Sequence, residues 1–94
     1  MPRKILVVDD EPAIRDILKS FFHEFGYEVA AAPDGREALR ILDQEPIQVM
    51  LLDLNMPGMN GLDLCRAIRP RQPKARIFAL TGFHRLFTPD SARQ

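Results

Sequence analysis

Apolar residues cluster in four short runs of equal length, Ile5-Leu6-Val7-Val8, Val29-Ala30-Ala31-Ala32, Val49-Met50-Leu51-Leu52 and Ile77-Phe78-Ala79-Leu80. Short unbroken runs between turn signals fit strands buried on both faces. The longer intervals between them change period. In the first, Ile14, Ile17, Leu18, Phe21, Phe22 and Phe25 recur at helical spacing and predict one buried helical face. Pro12 suits the first turn of that helix, and Gly26 supplies its stop. The second interval opens with Asp34-Gly35-Arg36-Glu37, a capping box with Asp in place of Ser or Thr, followed by Ala38, Leu39 and Leu42. The third holds a loop over residues 55–61, then a short helix carrying Leu62, Leu64, Cys65 and Ile68 that Arg69-Pro70 is expected to end.

Strand and helix in regular alternation predict an α/β fold, a doubly wound parallel sheet with crossover helices. Its 94 residues make one small domain, and 46% hydrophobic residues exclude a disordered tail. A single cysteine, Cys65, excludes an intramolecular disulfide framework or a cysteine-rich zinc site, and suits a reducing compartment. The basic start runs into only four apolar residues before Asp9-Asp10-Glu11, too few for a signal peptide or a membrane span. A cytoplasmic setting without membrane contact is the expectation.

The net charge of zero conceals an asymmetry. Residues 1–63 hold six basic and twelve acidic residues, a net of −6; residues 64–94 hold seven basic residues and one acidic, a net of +6. The basic stretch 66–76 has no interleaved aromatics and two prolines, so it is expected to be a solvated surface with no direct nucleic-acid binding.

The strand ends carry the candidate chemistry. In a parallel sheet all C-terminal strand ends lie on one edge, where open α/β folds bind ligands. Asp9, Asp10 and Glu11 follow the first run, Asp53 the third, and Thr81 and Gly82 the fourth. If the first and third strands are neighbours, about 4.8 Å apart, Asp9, Asp10 and Asp53 crowd together. Their repulsion raises at least one carboxyl pKa unless a cation relieves it. An all-oxygen donor set suits Mg²⁺, or Mn²⁺, better than zinc. The bland reading of Asp9-Asp10-Glu11 is an acidic helix N-terminus, and that of Asp53 is a cap on the following loop.

Three motifs together, Ile5-Leu6-Val7-Val8-Asp9-Asp10-Glu11, Asp53-Leu54-Asn55-Met56-Pro57-Gly58-Met59-Asn60-Gly61 and Ala79-Leu80-Thr81-Gly82, resemble the receiver domain of bacterial two-component response regulators. The resemblance covers residues 3 to roughly 90. It implies a flavodoxin-like sheet of strand order 2-1-3-4, and a phospho-acceptor that turns over no separate substrate. By that likeness Asp53 accepts a phosphoryl group from a histidine kinase or phosphotransfer protein. Asp10 and Asp53 bind Mg²⁺ directly, Asp9 through water, and Asn55 through its backbone carbonyl. Thr81 matches the switch hydroxyl that binds the phosphoryl oxygen, and a downstream effector reads the switch.

Receiver domains have five strands and this chain reads as four, so the likeness also implies a domain over residues 1–94 that is incomplete at its C-terminus. The family's phosphoryl-binding lysine and the switch's aromatic partner lie in the missing unit. The fourth run then becomes an apolar edge strand, and the expectation is a fragment or a partner-completed or domain-swapped homo-oligomer. Two rival readings follow: a docking or oligomerisation module that works without phosphorylation, and an aspartate-nucleophile phosphohydrolase. The latter needs a second acid where Asn55 stands.

Overall fold

The structure is a computed structural model that describes residues 3–80. Seven elements alternate along the chain: β1 (Arg3–Val8), α1 (Pro12–Glu24), β2 (Tyr27–Ala32), α2 (Gly35–Gln44), β3 (Val49–Asp53), α3 (Gly61–Arg71) and β4 (Arg76–Leu80). The strands form one parallel sheet in the order β2-β1-β3-β4, the order that the receiver resemblance implies.

Alternation along each strand divides the core in two. Leu6 and Val8 of β1 join Met50 and Leu52 of β3 beneath α2 and α3, which contribute Ala38, Leu42, Leu64 and Ile68. Ile5 and Val7 turn to the other face and pack with Leu18 of α1, flanked by Ile14, Phe22, Val49 and Leu51. This two-sided burial explains why the central strands read as unbroken apolar runs. The edge strands do not share it. β2 is mostly half-buried and β4 largely exposed, Phe78 and Ala79 included. Among the described residues each of these strands has a paired neighbour on one side only, and the expectation of burial on both faces is not met there.

The first helix differs from its sequence reading in a similar way. Ile14, Leu18 and Phe22, spaced four apart, meet the sheet, whereas Ile17, Phe21 and Phe25 are 58%, 53% and 66% exposed. The apolar stripe is broader than the contact, because α1 lies along β2 and β1 and meets the sheet along one row of side chains. Phe21 meets Phe25 with its ring tilted by 55° and Phe22 edge-on, with ring centroids 5.1 and 5.3 Å apart. Gly26, with φ of +86°, stops the helix as expected, and its N–H donates to His23 O.

Asp34 caps α2 by accepting from the Glu37 N–H at 2.9 Å. Only this half of the expected capping box carries through, since the Glu37 carboxylate pairs with Arg40 on the next turn. Asn60 caps α3 in the same manner, accepting from Asp63 N–H at 2.9 Å. That helix runs through Pro70 to Arg71, beyond its predicted end. Pro70 forfeits one hydrogen bond four residues back, but Gln72 N–H still reaches Ile68 O at 2.8 Å. Arg69 ties the exit down, donating to the carbonyls of Pro73 and Ala75 at 2.9 and 2.8 Å. Arg71 pairs with Asp43 of α2 at 2.9 Å. Part of the basic stretch is thus engaged in fixing α3 to its surroundings. Among the described residues no helix is long and apolar enough to cross a membrane.

Candidate metal and phosphoryl site

β1 and β3 are direct neighbours, with Val8 opposite Leu52. The next residue on each is an aspartate, so the register alone brings Asp9 and Asp53 to the same height at the C-terminal edge. Carboxylate oxygens of Asp9, Asp10 and Asp53 lie within 4.8 Å of one another. Asp9 and Asp53 are only 4% and 6% exposed, and Asp10 stands open to solvent.

Each buried acid is oriented by its own backbone. The Glu11 N–H donates to Asp9 Oδ1 at 2.8 Å, and the Asn55 N–H to Asp53 Oδ1 at 2.9 Å. Both contacts span two residues and turn the chain out of its strand. The bland explanations offered by the sequence are therefore partly true, since Asp53 does hold the following loop. Glu11 occupies the N-cap of α1 without a side-chain cap hydrogen bond, and the acidic triplet directly precedes the helix, as its bland reading has it. The Asp9 N–H also donates to Ala32 O at 3.1 Å, which extends β2–β1 pairing to the site's rim.

Burial pushes the Asp9 carboxyl above its ordinary pKa, opposed by the Glu11 N–H and reinforced by the charges of Asp53, Asp10 and Glu11. Crowded carboxylates at one edge of a sheet are what a hard divalent cation neutralises. The donors are all oxygen, close enough to share one ion, with an exposed side that leaves room for water. This arrangement fits Mg²⁺.

Two contributors have no role assigned to them from the sequence, although Gly61 closes the second of the three motifs. Arg15, one turn into α1, donates from Nη1 to the carbonyl oxygen of Asp9 at 2.6 Å, fixing the turn between the acids and the helix. Gly61 begins α3 directly against the Asp53–Leu54 backbone. Met56, buried, and Met59, half-buried, pack into the core beneath the loop. Asn55 is exposed on that loop. Thr81 lies outside the described residues, as do Gly82, His84 and Arg85. Lys4, at the opposite edge of the sheet, pairs with Glu45 at 2.6 Å.

Comparison with known proteins agrees with this geometry. Residues 5–93 match the family described as response regulator receiver domain. The aerobic respiration control protein ArcA of Escherichia coli is 45% identical over 78 residues, 83% of this chain and 32% of ArcA. The chain thus spans about a third of the length of that relative. The chemotaxis response regulator CheY4 of Vibrio cholerae superposes with a TM-score of 0.82 at 32% identity, over 99% of this chain and 79% of that chain. A structure of the histidine kinase ThkA in complex with the response regulator TrrA matches with a TM-score of 0.80 at 38% identity, over 97% of this chain and 78% of that chain. TrrA from Thermotoga maritima in complex with Mg²⁺ and BeF matches with a TM-score of 0.77 at 36% identity, again over 97% of this chain and 79% of that one. Sheet order, paired acids and sequence match lead to one conclusion: the chain belongs to the response regulator receiver domain family.

Proposed function

We propose that this chain is a single receiver unit over residues 1–94, in which Asp53 accepts a phosphoryl group from the phosphohistidine of a histidine kinase or phosphotransfer protein. The observation that carries the reading is the meeting of Asp9, Asp10 and Asp53 at adjoining strand ends. An Asp53 carboxylate oxygen attacks phosphorus in line, the phosphorus–nitrogen bond of the donor breaks, and the imidazole leaves with the electron pair. The product is an acyl phosphate whose hydrolysis resets the site. Asp10 and Asp53 serve as direct metal ligands, Asp9 as a ligand through water, and the Asn55 carbonyl as a further donor. Mg²⁺, or Mn²⁺ in its place, supplies the positive charge that offsets the phosphoryl oxygens against the carboxylates.

The protein's own contribution is orientation. The Asn55 N–H holds one Asp53 oxygen, and the sheet holds Asp53 against Asp9 with no loop between them. Leu80, the last residue of β4, pairs with Asp53. Thr81 follows it in the chain, and this adjacency supports its role as the hydroxyl that receives the phosphoryl oxygen. The complex of ThkA with TrrA supports a histidine kinase as the donor's class. A cytoplasmic setting and a downstream partner that reads the fourth strand's end complete the proposal.

Incubation with Mg²⁺ and acetyl phosphate, followed by intact mass measurement, tests it. One phosphoryl adduct is expected, lost with chelator and absent from Asp53→Asn. A folded, Mg²⁺-binding chain that never gains the adduct would sink the phospho-acceptor reading and favour a docking module instead.

A further inference from the structure

Gly61 is where α3 meets the strand end that carries Asp53. A Cβ built on Gly61 would lie 2.7 Å from Leu54 Cα and 2.9 Å from the carbonyl oxygen of Asp53, with Leu54 Cδ2 at 2.5 Å. Two of those three atoms are backbone, so no change of rotamer relieves the overlap. Either the strand end or the start of the helix must move. The Gly61 N–H is directed at Leu54 O at 3.5 Å, so the loop that leaves Asp53 returns to close on the residue beside it.

The other described glycines meet different demands. At Gly35 the nearest atom is the Met59 sulfur, at 2.6 Å, the end of a flexible side chain that can turn aside. Gly26 and Gly58 have φ of +86° and +80° but nothing within 4 Å of an added Cβ. They answer to backbone conformation alone. Only at Gly61, among the described residues, does the missing side chain set the distance between two backbone segments, and one of those segments ends in the candidate phospho-acceptor.

We propose that Gly61 is a positioning residue for Asp53: the close approach it permits sets where the Asp53 carboxylate stands relative to Asp9 and Asp10. The inference rests on the reading of the three acids as a Mg²⁺ site. Mg²⁺ demands near-ideal octahedral geometry with ligands at about 2.0–2.1 Å. A displacement of the strand end large enough to admit a methyl group therefore removes Asp53 from a shared ion.

Calorimetric titration with MgCl₂ and thermal melting of three proteins test this: the wild type, Gly61→Ala and Gly26→Ala. The Gly61→Ala protein should bind Mg²⁺ roughly 10-fold or more weakly, in the range seen when groups that orient a metal ligand are lost. Gly26→Ala, strained but remote, should melt earlier and bind Mg²⁺ as the wild type does. Equal affinity in the wild type and Gly61→Ala overturns the proposal. So does a loss of affinity in Gly26→Ala as large as in Gly61→Ala, because general destabilisation then suffices. Should Gly61→Ala fail to fold, amide NMR of the wild type decides. The Leu54 and Gly61 resonances must then shift with Asp53 on Mg²⁺ addition, and their indifference overturns the proposal. A wild type that binds no Mg²⁺ instead refutes the metal-site reading itself, a result distinct from binding that Gly61→Ala leaves intact.

Discussion

Asp9 is under two opposing pressures. Its carboxylate is oriented by the Glu11 N–H, yet burial and three neighbouring acids hold its pKa above the ordinary value. A carboxyl whose pKa is raised on folding binds its proton more tightly in the native state, so stability falls as pH rises from the unfolded pKa through the folded one. Above that window the full penalty is present; below the unfolded value of 3.8 it vanishes. Asp9→Asn keeps an oxygen for the Glu11 N–H and removes the charge. It should raise the melting temperature of the Mg²⁺-free protein at neutral pH by a few degrees, on the order of 1 kcal/mol. That gain should shrink to nothing in melts below the unfolded pKa. A gain that persists undiminished in acid would assign it to something other than the charge. The sequence reading anticipated the repulsion but not its holder, because which carboxylate is buried depends on how β1 exits the sheet.

At the scale of elements, α1 separates what periodicity predicts from what packing uses. Leu18 is buried against Ile5 and Val7, while Phe21, one residue short of the next turn, is exposed. Leu18→Ala should cost about 2–5 kcal/mol in a denaturant titration. Phe21→Gln should fall within about 1 kcal/mol of the wild type, as exposed substitutions do. Equal losses would mean that the outer row is covered in solution. The N-cap of α2 allows a third check. Asp34 accepts the Glu37 N–H, so Asp34→Ala should destabilise by about 1 kcal/mol. Asp34→Asn, which retains the acceptor, should recover most of it. These local features were legible in the sequence because caps and turns are decided by residues a few positions apart. The fate of Glu37 was not, because Arg40 competes with the cap for the same carboxylate.

For the whole molecule, the acid cluster couples folding to the cation. Three carboxylates within 4.8 Å repel in the native state and are dispersed in the unfolded one, so Mg²⁺ binds the folded chain preferentially. At a free concentration 100 times its dissociation constant the stabilisation is about 2.7 kcal/mol. Melting curves with and without MgCl₂ should differ accordingly, and chelator should reverse the shift. Asp53→Asn removes one of the repelling charges and one of the ligands together. Its response to MgCl₂ should therefore be much smaller. A Mg²⁺ response of wild-type size in Asp53→Asn would remove that residue from the ligand set.

The sequence by itself determined the alternation of strands and helices, the starts of α1 and α2, and the aspartates that follow β1 and end β3. Those features arise from local chemistry: unbroken apolar runs, proline and glycine at helix ends, and polar residues placed just after buried strands. Tertiary structure decided which strands are neighbours, and hence that Asp9 and Asp53 share one height in the β2-β1-β3-β4 sheet. It also decided that one row of α1 meets the sheet while the next stays exposed, and that Gly61 abuts the backbone of Asp53. These are contacts between segments far apart in the chain or folded back upon themselves. No periodicity encodes them, because they depend on where each element lies against the others.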